Sequence, residues 1–200
     1  MGFENISAII LAAGESRRMG QPKLLLSWGK TTVLGQIVAT FSKAGIADIV
    51  VVTGSTRKLI ENLVAELAKD YPVRATYNPD YKFGGMLSSI KTGLTELNLH
   101  TRAALIGLGD QPQVREDTVQ HICTAFLEMD APLVIPSFEN RRGHPWLVVH
   151  PLWNEILALP LSTTPREFLD AYNAQVKYIM ADQSILQDLD TPEDYTRQQP

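Results

Sequence analysis

The sequence of 200 residues holds a single cysteine, Cys123. One thiol excludes an intramolecular disulfide and any zinc cluster built from cysteines. The four histidines, His100, His121, His144 and His150, lack the spacing of a metal-ligand set. Long apolar runs are missing too, and none approaches the roughly 18–20 residues of a membrane span. The first residues lack the basic region and apolar core of a secretory signal. Charge of one sign is in only slight excess: 18 Lys and Arg face 22 Asp and Glu, a net charge of −4. That balance argues against general binding to nucleic acid or membrane surfaces, yet leaves room for a local basic pocket around one anionic ligand. These absences lead us to expect a cytoplasmic protein.

Core-forming residues are plentiful. Hydrophobic residues make up 44% and charged residues 20%, a globular rather than disordered composition. A chain of this length is long for one ordinary domain and short for two, so we read one domain over residues 1–200.

Ile6 to Leu11 is a short apolar run, and Ile49 to Thr53 is a β-branched one. Val73–Tyr77, Ala103–Leu108 and Leu133–Ile135 also read as strands. Between them, Leu34, Ile37, Val38 and Phe41 follow helical spacing, as do Ile60, Leu63, Val64 and Leu67. Leu87, Ile90, Leu94 and Leu97 mark a third helix, and Val119, Ile122, Cys123 and Phe126 a fourth. Cys123 is therefore expected in the core and His121 in solvent. Strands alternating with helices predict βαβ units and a mostly parallel sheet covered on both faces, hence the α/β class. After Pro136 the rhythm breaks. Arg141-Arg142-Gly143 reads as a turn, Trp146–Val149 and Val176–Met180 as strands, and 152–159 and 165–172 as helical pieces.

In an open parallel sheet, ligands bind beyond the carboxyl ends of the strands. Four segments there carry unusual residues. The stretch from Leu11 to Lys23, LAAGESRRMGQPK, combines small residues with Arg17, Arg18 and Lys23. Small residues let backbone approach a ligand, and turned N–H groups cradle phosphate oxygens. Roughly 18 residues separate this strand from its helix, against the usual 2–6 of a simple βα connection. The stretch is neither a Walker loop nor a three-glycine dinucleotide pattern. Gly109-Asp110-Gln111-Pro112 places a carboxylate after an apolar strand, where it could hold Mg²⁺ or merely shape a turn. In Asp188-Leu189-Asp190-Thr191-Pro192-Glu193-Asp194, Thr191 and Asp194 form a capping-box pattern with Pro192 at the first helical position. Asp190 has no such duty and could meet Asp110 at one cation, while Asp188 is expected to point to the opposite face. Lastly, Asn78 to Leu94 carries a glycine pair before Ser88 and Ser89, which could cap a helix or meet a ligand at its N-terminus.

Together these segments resemble the MobA/MocA-like nucleotidyltransferases. The family opening, Leu-Ala-(Ala/Gly)-Gly-x-Ser-x-Arg-Met-Gly-x-x-Lys, is met at every fixed position by Leu11 to Lys23. Similarity continues through NPDYKFGGMLSSIKTGL, GDQP, RRGHP and DLDTPEDY in family order. The fold this implies is a Rossmann-like three-layer α/β/α sandwich with a mixed, mostly parallel sheet. Ala13 stands where GTP-using relatives carry a second glycine, and with GDQP and RRGHP it resembles the cytidylyltransferase branch. That branch carries Gly-Asp-x-Gly-Ala-Arg near the acceptor, whereas this chain has Leu161-Ser162-Thr163-Thr164-Pro165-Arg166.

The resemblance implies transfer of CMP from CTP to the phosphate of molybdopterin or the molybdenum cofactor, with release of pyrophosphate and dependence on Mg²⁺. It implies Lys23, Arg18 and Asp110 as catalytic residues, and Asp110 and Asp190 as metal ligands. Leu11, Ala12, Ala13, Gly14, Lys23, Ser88, Ser89 and Gly109 would bind nucleotide, and Arg142, Gly143, His144 and Arg166 the acceptor. A molybdoenzyme or its chaperone would be a partner. Two other readings stay open: a cytidylyl- or uridylyltransferase for a sugar or alditol phosphate, and an inactive nucleotide-binding or chaperone-like module for a molybdenum hydroxylase.

Overall fold

The computed structural model describes residues 2–98, 100–129 and 131–200. Its strands are β1 (Ile6–Ala12), β2 (Ser27–Trp28), β3 (Thr31–Thr32), β4 (Ile49–Thr53), β5 (Val73–Tyr77), β6 (Ala103–Leu108), β7 (Leu133–Phe138), β8 (Arg141–Arg142), β9 (Trp146–Val149) and β10 (Val176–Met180). The α-helices are α1 (Val33–Lys43), α2 (Arg57–Leu67), α3 (Gly85–Thr95), α4 (Glu116–Met129), α5 (Trp153–Ala158), α6 (Pro165–Ala171) and α7 (Pro192–Gln198).

The main sheet runs β10-β7-β9-β6-β1-β4-β5, with β8 paired to β7. β1 lies parallel between β4 and β6, and β5 extends the parallel half. β9 runs antiparallel between β6 and β7. Sequence periodicity finds β9 but not its direction. The tight β7–β8 hairpin turns the chain back, so the stretch read as a turn at Arg141-Arg142 is two residues of strand paired with Ser137 and Phe138.

All five residues of β4 are buried, as a strand covered on both faces requires. Alternation sorts the central side chains into two layers. Ala8, Ile10, Val51 and Leu105 pack with Leu34, Phe41, Ile60, Ile122 and Cys123 of α1, α2 and α4. Ile9, Val50, Val52 and Ile106 pack with Leu87, Ile90, Trp153 and Phe168 of α3, α5 and α6. Each fully buried Val, Ile or Leu of these layers contributes about 1.5–3 kcal/mol. The result is the expected three-layer sandwich. Cys123 is buried and His121 exposed.

Thr32 caps α1 by accepting the Gly35 N–H at 3.0 Å. The capping box at α7 forms as the sequence predicts, with Thr191 and Asp194 exchanging side-chain and backbone hydrogen bonds. It fixes where the segment carrying Asp190 ends.

Candidate functional site

β1 delivers the chain at Ala12 to the carboxyl edge of the sheet. The long loop beyond it is anchored rather than free. Met19 and Leu24 are buried in the core layer beneath it. Gly20 has φ +70°, a left-handed turn that a glycine adopts without strain. The Ser16 hydroxyl accepts the Lys23 N–H at 3.4 Å. The loop is also tied to the end of β4, where the Ser55 hydroxyl donates to Gly14 O at 2.8 Å. A Cβ on Gly54 would fall 2.4 Å from Ala13 O, so only glycine lets the two chains approach.

β6 brings Asp110 to the same edge. The Gly109 N–H donates to Leu11 O at 3.0 Å, which locks the GDQP turn beside the loop. The segment after β10 closes from the third side. The Leu189 N–H donates to Asp110 O at 3.1 Å, and Gln111 Nε2 donates to Asp188 Oδ1 at 2.7 Å and to Ile185 O at 3.3 Å.

Lys23 stands at the centre. Its Nζ donates to Asp110 Oδ2 and, at 3.2 Å, to Asp190 Oδ1. Arg18 Nη2 reaches the other Asp190 oxygen at 2.9 Å. Burial by itself would lower the pKa of the Lys23 ammonium, but the charges and hydrogen bonds of Asp110 and Asp190 outweigh it, and the pKa is raised. Burial, together with the charge of nearby Asp110, also raises the Asp188 carboxyl.

Above this cluster opens a cavity of about 710 Å³, within the usual range for small-molecule sites. Leu11, Ala12, Ala13 and Gly14 form one wall, with Arg17, Arg18, Lys23 and Lys82 as its cations and Glu15, Asp110, Asp188 and Asp190 as its anions. Mixed charge suits a ligand that brings phosphates together with a cation. Two carboxylates aim oxygens at one ammonium, which is the number Mg²⁺ takes when phosphate oxygens and water complete its shell. Among the described residues no group of three or more His, Cys, Asp or Glu is placed to hold a metal by itself. The pair of Asp110 and Asp190 suits a cation whose remaining shell comes from phosphate oxygens and water.

Several expected positions lie elsewhere. Ser89 lines the cavity, but Ser88 does not. Ser88 is 3% exposed, donates to Gly85 O and accepts from Asn78 Nδ2, because one helical step turns it toward the core. Neither serine caps α3; Gly84 takes that place. Gly109 lies behind the wall, spent on its bond to Leu11. Asp188 does not turn away. No strand forms at 187–190, and positions two apart on an extended segment share a side, so Asp188 joins Asp190 in the cavity.

The four expected acceptor residues do not reach the cavity wall. Arg142 is held by Asp170, by Asn173 Oδ1 and by the Tyr178 hydroxyl, both at 2.8 Å. Arg166 is 88% exposed and lies 3.9 Å from the same Asp170. Gly143 and His144 lie against Ile185. A Cβ on Gly143 would meet Ile185 O at 2.5 Å, and the His144 N–H donates to that oxygen at 3.2 Å. They hold the 183–186 turn, which precedes the segment carrying Asp190. Burial lowers the His144 imidazole to about 4, so it stays neutral. Asn78, Tyr81, Lys82, Met86 and Asp188 contribute without having been singled out as site residues. Asn78 is 1% exposed and donates to both Ser88 and Ser89, at 2.8 and 3.0 Å. Its signal was an Asn-Pro pair directly after β5.

Comparison with known proteins gives the geometry a lineage. Residues 8–176 match the MobA-like NTP transferase domain, a span that contains Lys23 and Asp110 while Asp190 lies beyond it. The chain is 29% identical over 193 residues to the molybdenum cofactor cytidylyltransferase of Escherichia coli (strain K12), covering 95% of this chain and 93% of that one. It is 30% identical over 140 residues to a probable molybdenum cofactor guanylyltransferase of Bacillus cytotoxicus, covering 70% of this chain and 66% of that protein. Rv0371c of Mycobacterium tuberculosis H37Rv shares the fold at a TM-score of 0.81 and 23% identity, over 97% of each chain. Its complex with manganese superposes at 0.76 and 22% identity, over 98% of each. The chain belongs to the MobA-like NTP transferase domain family and is a nucleotidyltransferase.

Proposed function

We propose that this nucleotidyltransferase moves CMP from CTP to the terminal phosphate of molybdopterin or its molybdenum-loaded form, releasing pyrophosphate. The observation that carries the reading is the Lys23 ammonium shared by Asp110 and Asp190 at the mouth of the Gly14 loop. The full-length likeness to a cytidylyltransferase and the alanine at position 13 support CTP as donor.

In this scheme an acceptor phosphate oxygen attacks the α-phosphorus as the bond to the β-phosphate oxygen breaks, and the electron pair leaves with pyrophosphate. A phosphate nucleophile needs no general base, so positioning and charge neutralisation suffice. Lys23 leaves the carboxylates to neutralise charge on the α-phosphate. Arg18 releases Asp190 to hold the departing pyrophosphate, where its planar fork suits phosphate oxygens. Backbone of Ala12 to Gly14 lines the nucleotide, and Ser89, oriented by Asn78, faces it. Asp110 and Asp190 would hold Mg²⁺, which supplies Lewis-acid stabilisation of phosphate charge when bound.

The test is pyrophosphate release in the presence of Mg²⁺, with each of the four NTPs paired with molybdopterin and with sugar or alditol phosphates. Release with CTP and molybdopterin alone is expected. Release only with a sugar or alditol phosphate would transfer the donor half of the reading to another acceptor, and release with GTP alone would overturn the choice of nucleotide.

A further inference from the structure

Beside the cavity lie exposed apolar side chains that the chemistry above leaves unused, and one of them, Met86, lines its wall. Phe83 is 87% exposed, and Met86 and Leu161 are each 41% exposed. Phe83 lies near the end of the β5–α3 connection, Met86 stands in the first turn of α3, and Leu161, from the α5–α6 connection, lies beside Gly84. A Cβ on Gly84 would lie 3.3 Å from Leu161 Cδ2 and 2.4 Å from Ser88 Cβ, so the absence of a side chain there lets Leu161 settle beside the backbone that carries Phe83. Gly85 has φ +54°, a turn that a β-carbon would strain. The lip is thus held in place by two glycines. Immediately inside it, Tyr81, Lys82, Gly85, Met86 and Ser89 line the cavity.

Leaving a phenylalanine in water forgoes burial that is normally favourable. One such residue is ordinary; three on neighbouring segments beside a ligand site, one of them in its wall, mark a surface that a substrate covers. The proposed reaction assigns the nucleotide to Ala12 to Gly14 and Ser89, which leaves the lip for the second substrate. A flat ring covers an exposed phenyl face well, and the lysine just inside suits a phosphate carried by that ring.

We propose that Phe83, Met86 and Leu161 form the acceptor shelf, on which the planar heteroaromatic ring of the acceptor stacks while its phosphate enters past Lys82. The proposal rests on the reading that the acceptor is a phosphorylated pterin, and it adds where and by what contacts the ring is held.

Free pterin, which carries no phosphate, separates the shelf from the reaction. Its fluorescence is quenched when it stacks on an aromatic side chain. Wild type should bind it, Phe83→Ala and Leu161→Ser should weaken binding about tenfold, and Phe83→Trp should keep it. In pyrophosphate release, Phe83→Ala should raise the acceptor KM about tenfold and leave the KM of CTP unchanged. All of these positions are exposed, and circular dichroism should show an intact fold. Absence of pterin binding by wild type, equal binding by Phe83→Ala, or a rise in the CTP KM alone would each overturn the shelf. Phe83-dependent pterin binding without transfer to a phosphorylated pterin would leave the shelf standing and remove the proposed reaction. Transfer with an acceptor KM indifferent to Phe83→Ala would do the reverse.

Discussion

Removing the Lys23 ammonium tests the centre of the site, through Lys23→Ala. The side chain is 13% exposed and serves two carboxylates that are themselves 19% and 31% exposed. Deleting one partner of a fully buried pair costs about 3–5 kcal/mol. Asp110 and Asp190 retain water, and Arg18 still holds Asp190, so about 1–2 kcal/mol is expected here. For a chain of this length that corresponds to a fall in Tm of roughly 2–8 °C. The raised Lys23 pKa fixes the pH behaviour. A group raised on folding contributes stability below its unfolded value and loses it only as pH climbs through the folded value, here above 10.5. The difference between wild type and variant should therefore be flat from about pH 6 to pH 9. Turnover should fall about 10²–10³-fold, the usual effect of losing one preorganised donor. Mg²⁺ alone should also raise the Tm of Lys23→Ala more than that of wild type, because the carboxylate pair no longer holds its own cation. Thermal unfolding across about pH 6–9 with and without Mg²⁺, alongside steady-state pyrophosphate release, measures all four. A turnover loss of less than about fivefold, or equal Mg²⁺ shifts, would refute the reasoning.

Asp110→Asn and Asp190→Asn should each remove most turnover, and the double variant should be little worse, since the two act as a unit. Asp188→Asn should cost less, because an amide oxygen still accepts from Gln111 Nε2; kinetics at limiting Mg²⁺ separate the three. The kcat/KM for CTP should exceed that for GTP, and Ala13→Gly should narrow the ratio without reversing it, one methyl being worth about 1–3 kcal/mol. His144 is lowered on folding, so the unfolded chain binds protons more tightly and stability must fall as pH drops from 6.5 toward about 4. The residue is half-buried, which makes about 3 kcal/mol the ceiling of that loss. Urea midpoints at pH 7 and pH 5 should differ less in His144→Gln than in wild type; an identical difference would show that another group carries the acid sensitivity.

The sheet was legible because its strands are either wholly apolar, as at Ile49–Val52, or flanked by helices with an unbroken apolar stripe. Direction was not, since Trp146–Val149 reads the same whichever way it runs. In the site, Lys23, Asp110 and Asp190 were legible because each follows or ends a recognisable element. Ser88 and Ser89 were indistinguishable in sequence, and only the angular step of a helix separates a buried hydroxyl from an accessible one. Nothing nearby in sequence announces Asp170 as the partner of Arg142 and Arg166. Phe83 escaped notice because exposure is a property of the folded surface rather than of the string of residues.

The closure of the site by the segment after β10 has a consequence for how the protein is born. Lys23 and Asp190 are 167 residues apart in the chain, and Leu189 reaches back to Asp110. During synthesis, the parallel half of the sheet can pair well before Asp190 has left the ribosome. Every contact that completes the carboxylate pair is then long-range, and a loop of that length adds entropy of closure that only the finished fold offsets. A nascent chain would hold Lys23 against Asp110 alone. Competence for phosphate chemistry thus arrives as a late event, and a proteolytic cut between β10 and α7 should silence the enzyme while leaving the sheet's central strands paired.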